Sequence, residues 1–255
     1  MRGFCLEISG KNACFTRPEM KAERVSYDVI TPSAGRAIFE AILWKPAIIW
    51  EVKRIEILSP IRWETVRRNE VGAVASSSSA GIYIEENRQQ RASLLLRDVC
   101  YRIWAEFTFL KGKRQSDPSR PLLVLSEEVD ASLSPLQNSD QRSDETEAKY
   151  AAMFERRAEK GQTFHQPYLG CREFPASFHL IRNPDSEPSK KVPELAGERD
   201  FGWSLFDMNY SDPDNVSPMF YRPVAIDGVI DVEKYRKEAG IPDAAIYQVA
   251  RKDRK

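Results

Sequence analysis

Ser26–Trp50, SYDVITPSAGRAIFEAILWKPAIIW, leaves little choice of local structure. Thr31 is placed to cap the first helical N–H groups, and Pro32 falls at the first helical position, where a missing N–H costs nothing. Ala37, Ile38, Ala41 and Ile42 share one helical face. Pro46 stops the helix, because its ring clashes with the preceding turn and it has no N–H to donate. Ala47–Leu58 then alternates Ile48, Trp50 and Val52 before the phase slips near Lys53–Arg54, the signature of a β-bulge. A capped helix running straight into a buried strand is half of a split βαβ unit.

The rest of the pattern repeats that unit. Gly3–Ser9 reads as a first strand with Phe4, Leu6 and Ile8 on one face. Leu94–Leu110 reads as a long strand, with Val99, Tyr101, Ile103, Ala105 and Phe107 on one side and Arg102 and Glu106 on the other. Glu145–Lys160 is a second helix, ended by Gly161, and Phe174–Ile181 a further strand. The order β-α-β…β-α-β predicts an α+β, ferredoxin-like domain over residues 1–182. Val71–Gly81, with SSSSAG at its centre, is expected to be a flexible loop. Residues 111–146 lack periodicity and are expected to form a mobile acidic insertion, with Leu122–Leu125 packing locally. Residues 183–255 are expected to form a small antiparallel β appendage, with an Asp227–Gly228 hairpin, followed by a polar helix or tail from Asp231.

Charge needs local reading. The 38 basic and 38 acidic side chains cancel over the chain. Yet seven acids between Glu127 and Glu147 stand against Arg142 alone, while Lys149, Arg156, Arg157, Lys160 and Arg172 outnumber Glu155 and Glu159 in the next stretch. Arg62, Arg67, Arg68, Arg88, Arg91 and Arg97 form another basic cluster. A polyanion feels these local fields rather than the sum. No apolar run is long enough to span a bilayer, and MRGFCLEIS reads as strand rather than signal peptide. Cys5, Cys14, Cys100 and Cys171 lack metal-binding spacing and are expected to be reduced, buried thiols.

Phosphate-binding glycine loops, HExxH, HxxxH and Gly-x-Ser-x-Gly elbows are absent, so no metal or cofactor is expected. RNA offers its own nucleophile, the 2′-hydroxyl. A protein that cuts it needs a base for that hydroxyl, cations for the phosphorane and a proton donor for the leaving 5′-oxygen. Helical spacing puts Lys149, Arg156 and Lys160 on one face with Met153, beside a stripe of Tyr150, Phe154 and Arg157. The same spacing also describes an amphipathic helix with solvated cations. Of the two histidines, His179 falls on a strand and His165 in the polar loop GQTFHQPYLG, where an imidazole is placed for acid–base work.

The blocks VSYDVITPSAGRAI, EAILWKPAI, RRNEVG, NRQQRASLLLRDVCYRI and MFERRAEKGQTFHQPYLGCREFPASF, in that order, closely resemble the CRISPR-associated Cas-five family of type I-C systems. The likeness continues in DFGWSLFDMNY and PMFYRPVAIDGVI. It implies a RAMP-type ferredoxin-like (RRM/RAMP) domain and cytoplasmic work in a prokaryote. It implies metal-independent cleavage of precursor CRISPR RNA at the repeat hairpin, leaving a 2′,3′-cyclic phosphate. The protein then stays on the 5′ handle and joins a Cascade complex with the repeated backbone subunit and the large subunit. The family's catalytic set is a tyrosine before Trp-Lys-Pro and a Lys-His pair at the second helix. Here Trp44, Lys45 and Pro46 follow Leu43, and Lys149 is followed by Tyr150. The expected catalytic residues are therefore Lys149, Tyr150 and His165. RNA contacts are expected from Tyr27, Arg36, Lys45, Arg67, Arg68, Arg91, Arg156, Arg157 and Arg172, with weak duplex DNA binding as a further expectation of the same surfaces. Two readings stay open: a working endoribonuclease, or a non-catalytic subunit that clamps the 5′ handle.

Overall fold

The computed structural model describes residues 3–20, 22–74, 81–110, 146–184, 186–188, 190–212 and 215–248. Along them run β1 (Phe4–Ala13), α1 (Pro32–Ile42), β2 (Ile48–Ile57), β3 (Trp63–Val71), a one-turn α2 (Ile84–Asn87) and β4 (Arg88–Phe109). There follow α3 (Glu147–Glu159), β5 (Ser177–Ile181), β6 (Glu198–Asp200), β7 (Ser204–Asn209), β8 (Ser217–Tyr221), β9 (Val224–Ile226) and β10 (Val229–Asp231). Helices α4 (Val232–Glu238) and α5 (Ala244–Tyr247) close the described chain. The architecture is mixed, a mostly antiparallel sheet with few helices. Its main sheet is ordered β5-β1-β4-β2-β10-β9-β6, and β7 pairs with β8 alone.

The first unit forms for the reasons its residues give. Thr31 Oγ1 accepts the Ala34 N–H at 3.3 Å, and Pro32 opens α1. The register along β4 shifts between Val52 and Arg54, so the phase slip is a real bulge. Trp50 Nε1 donates to the Leu43 carbonyl at 2.8 Å, which satisfies the indole inside the core. Around Phe154 of α3, fully buried, lie Trp50, Phe4 and Phe39 with ring centroids at 4.7, 4.8 and 5.6 Å. This aromatic cluster joins both long helices to the central strands. Gly161 takes φ +62 just after α3, as a helix-ending glycine does.

Three features depart from the sequence reading. β4 begins at Arg88 rather than Leu94, because its first half pairs with β3, from Trp63↔Leu96 to Val71↔Arg88. In this two-stranded arm, residues of β3 alternate between exposed and half-buried with none fully buried, and its half-buried face carries Glu64, Val66, Arg68 and Glu70, so no apolar alternation betrays it. Second, β5 starts at Ser177, since Pro175 has no N–H for a ladder. Third, the expected appendage does not stand apart: β10 pairs with β2 through Val229↔Glu56, Ile230↔Ile55 and Asp231↔Arg54, and β9 and β6 extend the sheet beyond it. An open β2 edge would expose unpaired backbone groups, and these strands cover it. The Asp227–Gly228 hairpin is present, with φ of +50 and +78 as a tight two-residue turn requires. The 111–145 insertion, with Leu122–Leu125, residues 75–80 of the SSSSAG loop and the basic end at 251–255 lie outside the described residues.

Candidate functional site

The chain between α1 and β2 is the anchor of the site. Leu43 is buried, Trp44 is 40% exposed, and the Lys45 carbonyl accepts the Ile48 N–H at 3.1 Å. Two other segments are fastened to this stretch. The Phe164 N–H donates to the Ala41 carbonyl at 2.6 Å, which holds the loop carrying His165 against the last turn of α1. The Leu110 N–H donates to the Ala47 carbonyl at 2.8 Å, and Tyr150 of α3 packs on the neighbouring Phe109 ring at 5.9 Å. The structure thus gathers the α1 exit, the first turn of α3 and the His165 loop around Ala41–Ala47.

Thr146 organises the first turn of α3. Its Oγ1 accepts the Lys149 N–H at 3.2 Å and its carbonyl the Tyr150 N–H at 3.3 Å. Lys149 is exposed. Tyr150, expected to be a proton donor, is only 4% exposed. His165 is half-buried and its Nδ1 lies 3.2 Å from the Gln166 carbonyl; the tautomer that donates there keeps a lone pair on Nε2. The stripe along α3 continues with exposed Arg156 and Lys160 and half-buried Arg157, whose buried Nε has no hydrogen-bond partner among the described residues. Arg172 is exposed and Lys45 half-buried.

The arm supplies a second basic surface. Arg67 and Arg68 are adjacent on β3 and so face opposite ways. Arg67 is exposed, with no ion pair to a described residue. Arg68 sits directly across from Arg91. Glu70 resolves that like-charge contact, at 3.2 Å from Arg68 and 3.6 Å from Arg91. Glu173 then bridges Arg68 and Arg24, at 2.6 Å each, and ties the arm to the loop before β5. Arg24, Glu70 and Glu173 were not singled out from the sequence; only the i, i+2 spacing of Arg68 and Glu70 hints at the network.

Two expected RNA contacts are corrected outright. Arg36 is buried: its Nε and Nη2 donate to Asp207 at 3.0 Å each and its Nη1 to Glu40 at 2.7 Å. A guanidinium held by two buried carboxylates fixes α1 to β7 and has no face left for a phosphate. Tyr27 is 2% exposed, with the Arg17 guanidinium 4.5 Å above its ring, so no base can stack there. Burial pushes its phenol pKa up.

Among the described residues no group of three or more His, Cys, Asp or Glu side chains is arranged to hold a metal ion, and no helix is long and apolar enough to cross a membrane.

Comparison with known proteins puts this geometry in context. A family model described as CRISPR-associated protein (Cas5), of the Cas5d type, matches residues 3–124 and 136–233. The chain is 43% identical over 245 residues to a protein of Mannheimia succiniciproducens named CRISPR pre-crRNA endoribonuclease Cas5d, covering 91% of this chain and 96% of that one. It is 38% identical over 219 residues to a protein of the same name from Thermus thermophilus, covering 86% and 79%. Among solved structures, one described as a CRISPR-associated protein superposes with a TM-score of 0.59 at 25% identity, over 90% of this chain and 91% of that one. A chain of a CRISPR RNA-guided surveillance complex shares the fold at a TM-score of 0.51 and 13% identity, over 94% and 98%. With a family model matching most of its length and two such relatives, the chain belongs to the CRISPR-associated Cas5 family, of the Cas5d type.

Proposed function

We propose that this chain is an endoribonuclease that cleaves precursor CRISPR RNA at the base of the repeat hairpin and then holds the 5′ handle of the product. The observation that carries the reading is the 43% identity, over nearly the whole chain, to a protein named for that activity. In this reading β5-β1-β4-β2 is a ferredoxin-like sheet, with α1 and α3 as its two helices; the strand order 4-1-3-2 supports it. The repeated backbone subunit and the large subunit of a type I-C Cascade complex are its partners.

The chemistry follows from the groups at hand. The 2′-hydroxyl gives up its proton and attacks the adjacent phosphorus. The 5′-oxygen then leaves and takes a proton, so the products are a 2′,3′-cyclic phosphate and a 5′-hydroxyl. Lys149 is the main proton-handling residue, with His165 as the second. Arg156 and Arg157 offset the charge that builds on the phosphorane. A metal ion has no step in this scheme. With Tyr150 buried and Leu43 apolar, the exposed Lys149 and the half-buried His165 are the groups assigned the proton transfers in this reading.

That same burial favours a second reading, a subunit that binds the 5′ handle without cutting. The two separate on one experiment: labelled repeat RNA is incubated with the purified chain in EDTA, and the product ends are mapped. A single cut with a cyclic phosphate end supports the enzyme. Intact RNA, bound tightly, supports the clamp.

A further inference from the structure

The end of β1 and the loop at 167–175 are joined with unusual closeness. The Cys14 N–H donates to the Leu169 carbonyl at 3.0 Å, and the Leu169 N–H to the Phe174 carbonyl at 2.8 Å. Gly170 takes φ +83, and a Cβ there would stand 2.0 Å from the Cys14 carbonyl oxygen. Only glycine permits that approach. It delivers Cys171 onto Cys14. The Cys171 Sγ lies 3.6 Å from the Cys14 carbonyl oxygen, and the Thr16 hydroxyl touches both sulfurs, at 3.5 Å from Cys14 and 3.8 Å from Cys171. The Arg24 Nη1 is 3.7 Å from the Cys171 Sγ. Cys14 is buried and Cys171 half-exposed.

The surroundings favour a thiolate on Cys171. The neighbouring Cys14 thiol, with the Thr16 hydroxyl and the Arg24 guanidinium, holds its pKa below the ordinary thiol value against the opposing effects of desolvation and Glu173. Burial pushes the Cys5 thiol up to about 12 and Cys100 to about 11.

We infer that Cys171 and Cys14 form a peroxide-reactive thiol pair, which closes to a disulfide and fastens the 167–175 loop to the end of β1. The Cys171 thiolate attacks one oxygen of a hydroperoxide. The O–O bond breaks, the sulfur becomes a sulfenic acid, and hydroxide leaves in the case of hydrogen peroxide. The Cys14 thiol then attacks that sulfur, forming the S–S bond and releasing water. Two electrons pass from the two sulfurs to the peroxide oxygens, and a dithiol returns them by exchange. The bond would lock in place a loop whose Glu173 already holds Arg68 of the arm.

The test treats the intact, purified chain with hydrogen peroxide, blocks remaining thiols with iodoacetamide in guanidinium and maps peptides by mass spectrometry. The expected result is a Cys14–Cys171 linked peptide, two hydrogens lighter than its parts and cleaved by dithiothreitol, with Cys5 and Cys100 alkylated. In Cys14→Ser, Cys171 should stop at a sulfenic acid trapped by dimedone. Before oxidation, iodoacetamide at pH 7 should label Cys171 at least about tenfold faster than Cys5 or Cys100, and Arg24→Gln should slow it severalfold. Absence of the linked peptide in the wild-type chain, or labelling of Cys171 no faster than the other two, overturns the inference.

Discussion

Replacing Arg36 with methionine separates a structural role from an RNA-binding one. The wild-type cluster holds one guanidinium between two carboxylates, with Arg36, Glu40 and Asp207 all buried and three hydrogen bonds of 2.7–3.0 Å. Asp207 and Glu40 keep the Arg36 guanidinium charged despite its burial, raising its pKa well above the ordinary value. Methionine fills similar volume but leaves two buried carboxylates with no cation between them. Breaking a buried pair in this way costs about 3–5 kcal/mol. For a chain of this length each kcal/mol moves the melting midpoint by about 2–4 °C, so Arg36→Met should melt about 6–20 °C lower. Asp207→Asn keeps the shape and one acceptor and should cost about 1–3 kcal/mol. Thermal unfolding followed by circular dichroism measures both. Repeat-RNA affinity, taken well below either transition, should stay within about threefold of wild type. A variant that melts normally yet binds RNA more than tenfold worse would refute this reasoning and restore Arg36 as an RNA contact.

Further outcomes follow from other contacts. Phe154→Ala removes the centre of the aromatic cluster and should cost about 3–5 kcal/mol in urea unfolding. Arg67→Ala and Arg156→Ala should each weaken RNA binding and reduce the slope of log affinity against log salt by about one; an unchanged slope removes that side chain from the RNA path. Glu173 is pushed up by desolvation, but its own backbone N–H, Arg68 and Arg24 outweigh this and hold its pKa below the ordinary carboxylate value. The stability it contributes, under about 1 kcal/mol because the group is half in solvent, is therefore present above pH about 4.3 and is lost as pH falls through the lowered value. Wild type and Glu173→Gln should converge in urea midpoint at acid pH and differ at neutral pH.

The parts of the fold that were legible are those where one residue type settles a local choice. Thr31 and Pro32 start α1, Pro46 ends it, the slip at Lys53 marks the bulge, and Asp227–Gly228 sets the hairpin. β3 and the first half of β4 were missed because the half-buried face of β3 is built largely from charged side chains and shows no apolar period. The site was legible by type but not by burial. Lys149, Arg156 and Lys160, which helical spacing puts on one face, are all exposed. Arg36 looks no different in sequence, yet its partner Asp207 lies 171 residues away, and nothing local announces such a pair. Tyr27, expected as an RNA contact from the resemblance, likewise lies under the Arg17 guanidinium, which its own surroundings in sequence do not announce. The cysteines show the same limit, since four scattered thiols gave no hint that the fold sets Cys14 against Cys171.

The central claim is that the exposed amine of Lys149 moves a proton in RNA cleavage, and single-turnover kinetics test it most directly. Wild type and Lys149→Ala are each mixed in excess with labelled repeat RNA in EDTA, and binding and cleavage are followed separately. The account predicts that affinity changes by less than about threefold while the cleavage rate falls about 10²–10⁴-fold, the range for loss of a proton-transfer group. Equal cleavage rates in the two proteins would contradict it.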